Sequence, residues 1–318
     1  MAFNSLIDRT GAQALIPEDV SREIIQNVPD MSAVMQLARR LPNMSRNQRR
    51  LPVLSGLITA YFVSGDTGLK QASNASWTDK FINAEELAVI VPIPEAVLDD
   101  ADYDIWGEVR PRIEEAFGAA FDRAVLFGTN APSDWPDDLL AGATSASNTV
   151  TLGAGADIYD DIMSDGGVIA KVEEDGFMVN GHVAAVSMRS KLRGLRDANG
   201  NPIFVRVVQE GSQYELDGAP MFFPPSDPTY GAFDAAQALM FSGDWNQLVW
   251  SVRQDVTYKL LDQAVIQDGA GNIVHNLAQQ DMVALRAVIR LGWQLPNPIN
   301  RQQTTEASRY PFGVLLPT

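Results

Sequence analysis

Cysteine is absent from the 318 residues. That excludes disulfides, thiolate metal sites and cysteine nucleophiles together. It also fits synthesis in a reducing compartment. Histidine is scarce, with only His182 and His275. Neither a histidine-rich metal centre nor a repeated histidine base is expected. No apolar run reaches the roughly 18 residues of a membrane helix. The first twenty residues lack a basic start followed by an apolar stretch, so no signal peptide is expected. Acids are missing from Met31 to Gly65, where Arg39, Arg40, Arg46, Arg49 and Arg50 cluster.

What is present is an ordinary globular composition, 46% apolar, long enough for two domains. Net charge is −16. Residues 1–50 hold seven Arg and five acids, so the surplus of acid lies in the other 268 residues. A basic arm on an acidic body suits acidic neighbours, either sister subunits or nucleic acid; a solvated basic strand end is the bland alternative.

Residues 1–16 read as extended. Pro17, Glu18 and Asp19 open a helix over 17–28, with Val20, Ile24, Ile25 and Val28 on its apolar face. A short helix is expected over 32–40. Strands at 50–63 and 81–91 flank a polar, Gly-containing stretch at 64–78, which reads as a long β-hairpin. Residues 103–127 repeat apolar side chains every three or four positions: Ile105, Val109, Ile113, Phe117, Ala120, Phe121 and Ala124. Asp99, Asp100, Asp102 and Asp104 suit the start of this helix, Pro111 lies inside it, and Gly128 suits its stop. Residues 131–151 read as a loop and 157–175 as a helix weakened by Gly166-Gly167. A strand follows at 177–188, then a short basic helix at 190–196 and a turn at 197–202. Further strands are expected at 203–208, 221–223, 238–244 and 247–252. Strands at 256–266 and 282–293 belong to one antiparallel sheet. Strict βαβ alternation is missing, so the fold class is α+β.

Chemistry-bearing motifs are weak. Gly153-Ala154-Gly155 lacks the third glycine of a dinucleotide fingerprint and the lysine of a P-loop. Asp160-Asp161 and Glu173-Glu174-Asp175 read as solvated helix surface rather than metal ligands. No Gly-x-Ser-x-Gly elbow occurs, and the six Trp do not interleave with basic residues. No cofactor, metal or catalytic residue is expected.

Residues 60–128 carry, in order, a polar-tipped hairpin, an alternating strand, an acidic turn and a long amphipathic helix. This run resembles the major capsid proteins of tailed bacteriophages, a fold shared with encapsulins. Phe241-Ser242-Gly243-Asp244-Trp245, the strand 248–252, residues 276–286 and the apolar ending 310–316 are similar to that family as well. The resemblance implies an N-terminal arm (1–48), an E-loop hairpin (49–82), a peripheral domain (83–134 and 245–318) with the spine helix at 103–127, and an axial domain (135–244). It implies no enzyme activity, and a function as head-shell subunit that forms hexamers and pentamers around double-stranded DNA.

Inter-subunit contacts are then expected at Arg39, Arg40, Arg46, Arg49, Arg50, Lys70 and Trp77. The implied partners are other copies of the chain, a portal protein, a separate scaffolding protein or none, and a decoration protein in some heads. The N-terminal scaffolding segment of many members is expected to be absent. Some members cross-link an E-loop lysine to an asparagine. Lys70 or Lys80, with Asn297 or Asn300, are the candidates here, without an alignable glutamate. The implied location is the virion, assembled in the bacterial cytoplasm. An encapsulin-type compartment enclosing enzymes is the alternative. A hydrolase or carbohydrate-active enzyme is a third reading, disfavoured by scarce histidine and the lack of a paired-carboxylate motif.

Overall fold

The computed structural model describes residues 32–63, 68–100, 104–195, 214–227 and 230–318. The expected helix at 17–28, the turn at 197–202 and the strand at 203–208 lie outside the described residues. In chain order the elements begin with helix α1 (Ala33–Leu37), then β1 (Arg39–Arg40), β2 (Gln48–Gly56), β3 (Ser76–Asn83), β4 (Glu85–Pro94) and α2 (Glu95–Asp100). The long helix α3 (Ile105–Phe127) follows, then α4 (Leu139–Ser145), β5 (Thr149–Thr151), α5 (Ile158–Met163), α6 (Val168–Glu174), β6 (Gly181–Ala184) and α7 (Val186–Arg193). The rest is strand: β7 (Tyr214–Leu216), β8 (Ala219–Phe222), β9 (Met240–Gly243), β10 (Val249–Leu261), β11 (Val265–Gln267), β12 (Ile273–Asn276), β13 (Met282–Gln294) and β14 (Phe312–Leu316).

Two sheets form the body. One has the order β1-β10-β13-β4 and the other β5-β14-β9-β6-β8-β7. β2-β3 and β11-β12 are separate two-stranded ribbons, the first packed at Ile82 against Val249 of β10. The class is therefore α+β, as composition and element order imply.

Helix α3 joins the two sheets. Asp104 caps it, its Oδ1 accepting the Gly107 N–H at 3.0 Å. Gly128 ends it in the left-handed region at φ +66°, which suits a residue without Cβ. Its 23 residues span roughly 35 Å. Ile113, Phe117 and Phe121 are buried, and Phe121 meets Trp250 of β10 with ring centroids 6.4 Å apart. At the far end Phe127 stacks edge-on against Phe233 at 5.2 Å and Phe241 of β9 at 5.4 Å. One continuous apolar core thus runs from sheet to sheet along this helix.

Several expectations need correction. The helix expected over 32–40 stops at Leu37, because the Arg39 and Leu41 N–H groups bond to Leu248 and Trp250 carbonyls and make β1 a strand. The strand expected at 50–63 ends at Gly56, and the one at 81–91 is two strands broken at Ala84. β3 pairs with β2 while β4 pairs with β13, so the chain changes sheet at that point. Asp99 and Asp100 do not open the long helix; they end α2, and Asp104 alone serves as cap. The loop expected at 131–151 holds α4 and β5. The helix at 157–175 is two helices, parted where Gly166 takes φ +82°. Of 177–188 only Gly181–Ala184 is strand, and α7 begins at Val186. Strand β14 belongs by sequence to the 245–318 segment. That strand lies between β5 and β9, among residues of the 135–244 segment.

Candidate assembly surfaces

The arginine cluster surrounds the junction of β1 and β2. Arg40 lies over the Trp250 ring, 5.3 Å from its centroid, and its Nη2 donates to Asn43 Oδ1 at 3.3 Å. Arg49 is spent inside the subunit: Nη1 donates to the Pro42 carbonyl at 2.7 Å and Nη2 to the Asn43 carbonyl at 3.2 Å. Arg50 pairs with Asp79 across the ribbon at 3.3 Å, both largely exposed. Exposed Arg39 and Arg46 have no side-chain partner among the described residues. Three of the five clustered arginines are thus engaged within the subunit.

The β2-β3 ribbon projects with little cover. Trp77 is 66% exposed, and Phe62 and Leu69 beyond it are almost fully exposed. Lys70 is exposed with no partner among the described residues. Short polar contacts hold the distal part together: Thr59 N–H to Ser73 Oγ at 2.9 Å and Tyr61 OH to the Gln71 carbonyl at 2.6 Å. Just past the end of β2, Arg301 Nη2 donates to the Ile58 carbonyl at 3.1 Å, and Lys80 of β3 pairs with Glu306 at 2.8 Å. Asn297 donates to the Arg309 carbonyl at 2.7 Å and Asn300 to the Asp175 carbonyl at 2.6 Å. Both asparagines thus hold the C-terminal segment, as does Arg309, 3% exposed, whose Nη1 and Nη2 each donate to a carbonyl at 2.9 Å.

One buried titratable group, Asp122, escaped the sequence reading. Asp122 of α3 accepts Ser32 Oγ–H at 2.5 Å, Ala33 N–H at 2.8 Å and Val34 N–H at 3.3 Å, and so clamps α1 to the long helix. Burial pushes its carboxyl up to about 7 against the pull of those donors. Ser32 before a short apolar run was a readable cap signal; the inward aspartate was not, because it sits at a polar residue's usual spacing on a helix. A second buried titratable group, His182, stands on β6. It is fully buried, with Nε2–H donating to the Leu216 carbonyl at 3.1 Å and Nδ1 accepting from Ser242 Oγ at 2.9 Å. Burial lowers it to about 4, so it is neutral. Among the described residues no group of three or more His, Asp or Glu is placed to hold a metal, and no helix is long and apolar enough to cross a membrane.

The described residues offer exposed apolar and charged surfaces. The Phage capsid family profile matches residues 12–299. The major capsid protein of Staphylococcus phage 80alpha is 28% identical over 272 residues, 84% of this chain and 78% of the relative. The probable major capsid protein gp17 of Mycobacterium phage D29 is 23% identical over 275 residues, 86% of this chain and 83% of the relative. A solved structure from Microbacterium phage Oxtober96 superposes with a TM-score of 0.82 at 36% identity, covering 99% of this chain and 100% of that one. Another, from Mycobacterium phage Bobi, gives 0.79 at 32% identity, covering 99% of each. Sequence profile, curated relatives and whole-length superposition converge on one conclusion: the chain belongs to the phage capsid family.

Proposed function

We propose that this chain tiles as hexamers and pentamers into an icosahedral head, with the β2-β3 ribbon lying over a neighbouring subunit. The coarser role is structural: a major capsid protein, part of the virion shell of a tailed phage. The observation that carries the finer reading is the ribbon itself. Two strands without a third are marginal in water, yet this pair exposes Trp77, Leu69 and Phe62. Large exposed apolar side chains grouped on one projection mark a contact surface. Arg39, Arg46 and Lys70 supply cations for the acidic surface of neighbours, and the net −16 of each subunit leaves packaged double-stranded DNA loosely held. A portal at one vertex and a separate scaffolding protein complete this reading.

The test is to replace residues 57–73 by a two-residue turn. The shortened chain should fold and stay as small oligomers, while the full chain forms closed particles in negative stain. Closed particles of normal size from the shortened chain would sink the reading.

A further inference from the structure

The face of the β10-β13-β4 sheet turned away from α3 carries two cations side by side. Lys259 of β10 stands directly opposite Arg286 of β13, and Arg286 stands opposite Ile90 of β4. All three are exposed. The next row, Thr257, Val288 and Ala88, is small and flat. On the opposite face Tyr258 and Val89 pack against the core. Like charges directly opposite on a sheet repel, and neither Lys259 nor Arg286 has an acidic partner among the described residues. The subunit alone gains nothing from this pair.

Helix α2 is unpartnered in the complementary sense. None of its side chains is buried, and Val97 is 49% exposed. Glu95, Asp99 and Asp100 make no ion pair among the described residues. Asp99 and Asp100 sit at the C-terminal end, where the helix dipole disfavours acids. A six-residue helix without a packed face has little stability of its own.

We propose that α2 of one copy docks on the Lys259–Arg286–Ile90 face of a second copy, acids against cations and Val97 against Ile90. Ile90 and Glu95 are five residues apart, roughly 17 Å of strand, so both halves lie at one end of the sheet. Each copy carries both halves, and a two-fold axis between subunits satisfies the pair twice. One contact accounts for a repelling cation pair and for a helix with no buried side chain among the described residues. The inference rests on the shell reading and specifies one of its contacts.

Charge reversal and rescue in the full chain test it. Lys259→Glu with Arg286→Glu, and separately Glu95→Lys with Asp99→Lys and Asp100→Lys, should each lower particle yield about tenfold or more through like-charge contact. The first set exchanges one like-charged pair for another and the second keeps a like-charged cluster, so repulsion inside the subunit changes little. Its melting temperature should move by no more than about a degree or two, which separates a lost contact from a misfolded chain. The five substitutions combined should restore yield to within about threefold of wild type, since opposite charges then face each other again. Either reversal assembling normally, or the combination staying as low as the worse set, overturns the contact while wild-type particles uphold the shell. Normal empty particles that lose only their DNA would assign the cations to nucleic acid and overturn it too. A wild-type chain that forms no particles would refute the shell reading and this contact with it.

Discussion

At Asp122 and His182 burial works on opposite charges, and the two residues give stability slopes of opposite sign. Asp122 is raised from 3.8 to about 7. Its contribution is full below pH 3.8 and is lost as pH rises toward 7. His182 is lowered from 6.5 to about 4. Its contribution is full above pH 6.5 and is lost as pH falls toward 4. The contribution is roughly 4 kcal/mol for Asp122 and roughly 3 kcal/mol for His182 across their windows, and between pH 4 and 6.5 the two slopes largely cancel. His182→Gln should leave a chain whose stability rises on acidification relative to wild type, and Asp122→Asn one whose stability falls more steeply. Urea unfolding at pH 7, 5.5 and 4.5 checks this, and three parallel pH profiles would contradict it. The Asp122 clamp fixes α1 against α3.

Among the elements, α3 carries the most consequence because it spans both sheets. Its C-terminal turn depends on Gly128 at φ +66°, and a Cβ there would also come within 2.7 Å of Asp138 Oδ2. Asp138 in turn caps α4, accepting the Ala141 N–H at 2.9 Å. Gly128→Ala should therefore destabilise the subunit by about 1–2 kcal/mol, combining left-handed strain with a disturbed cap. A thermal melt shifted by less than about a degree would rule this out. The β2-β3 ribbon is the second element of consequence. Lys80 of β3 is held by Glu306, and the Asn297 and Asn300 amides are engaged with backbone carbonyls. The shell should consequently lack lysine–asparagine cross-links, and boiled particles should run on a denaturing gel as one band near 34.7 kDa. A ladder that Lys70→Ala abolishes would show the opposite.

For the whole molecule the governing fact is charge of unequal distribution. The net −16 lies beside a basic junction in which Arg39 and Arg46 have no intramolecular partner among the described residues. Exposed ion pairs contribute only about 0–1 kcal/mol each, but a shell repeats them at every subunit. Arg39→Glu with Arg46→Glu should lower the yield of empty shells several-fold, and high salt should do the same to wild type. Arg49→Ala should act differently, lowering subunit stability because it frees the Pro42 and Asn43 carbonyls. Unchanged empty-shell yield from the Arg39 and Arg46 pair, with poorer DNA retention, would move these side chains to the nucleic acid.

Local signals decided the elements that obey a single rule. The three-to-four spacing of Ile113, Phe117 and Phe121, the acid before Ile105 and the glycine after Phe127 specify α3 without reference to anything distant. The polar interruption between two apolar stretches likewise marks the β2-β3 ribbon, and the missing cysteine and scarce histidine turn attention from chemistry to surface. Partner choice between distant segments was illegible. Arg39 and Arg40 become strand only because β10 offers carbonyls beside them. Residues 76–94 divide at Ala84 because β2 claims one half and β13 the other. β14 joins the sheet of β5 and β9 although 165 residues separate Val314 from its partner Thr149 on β5, and Asp122 turns inward because α1 presents three donors to it. Periodicity reports which face of a segment is buried. Hydrogen-bond and packing partners far along the chain decide against what it is buried, and only the tertiary structure holds that information.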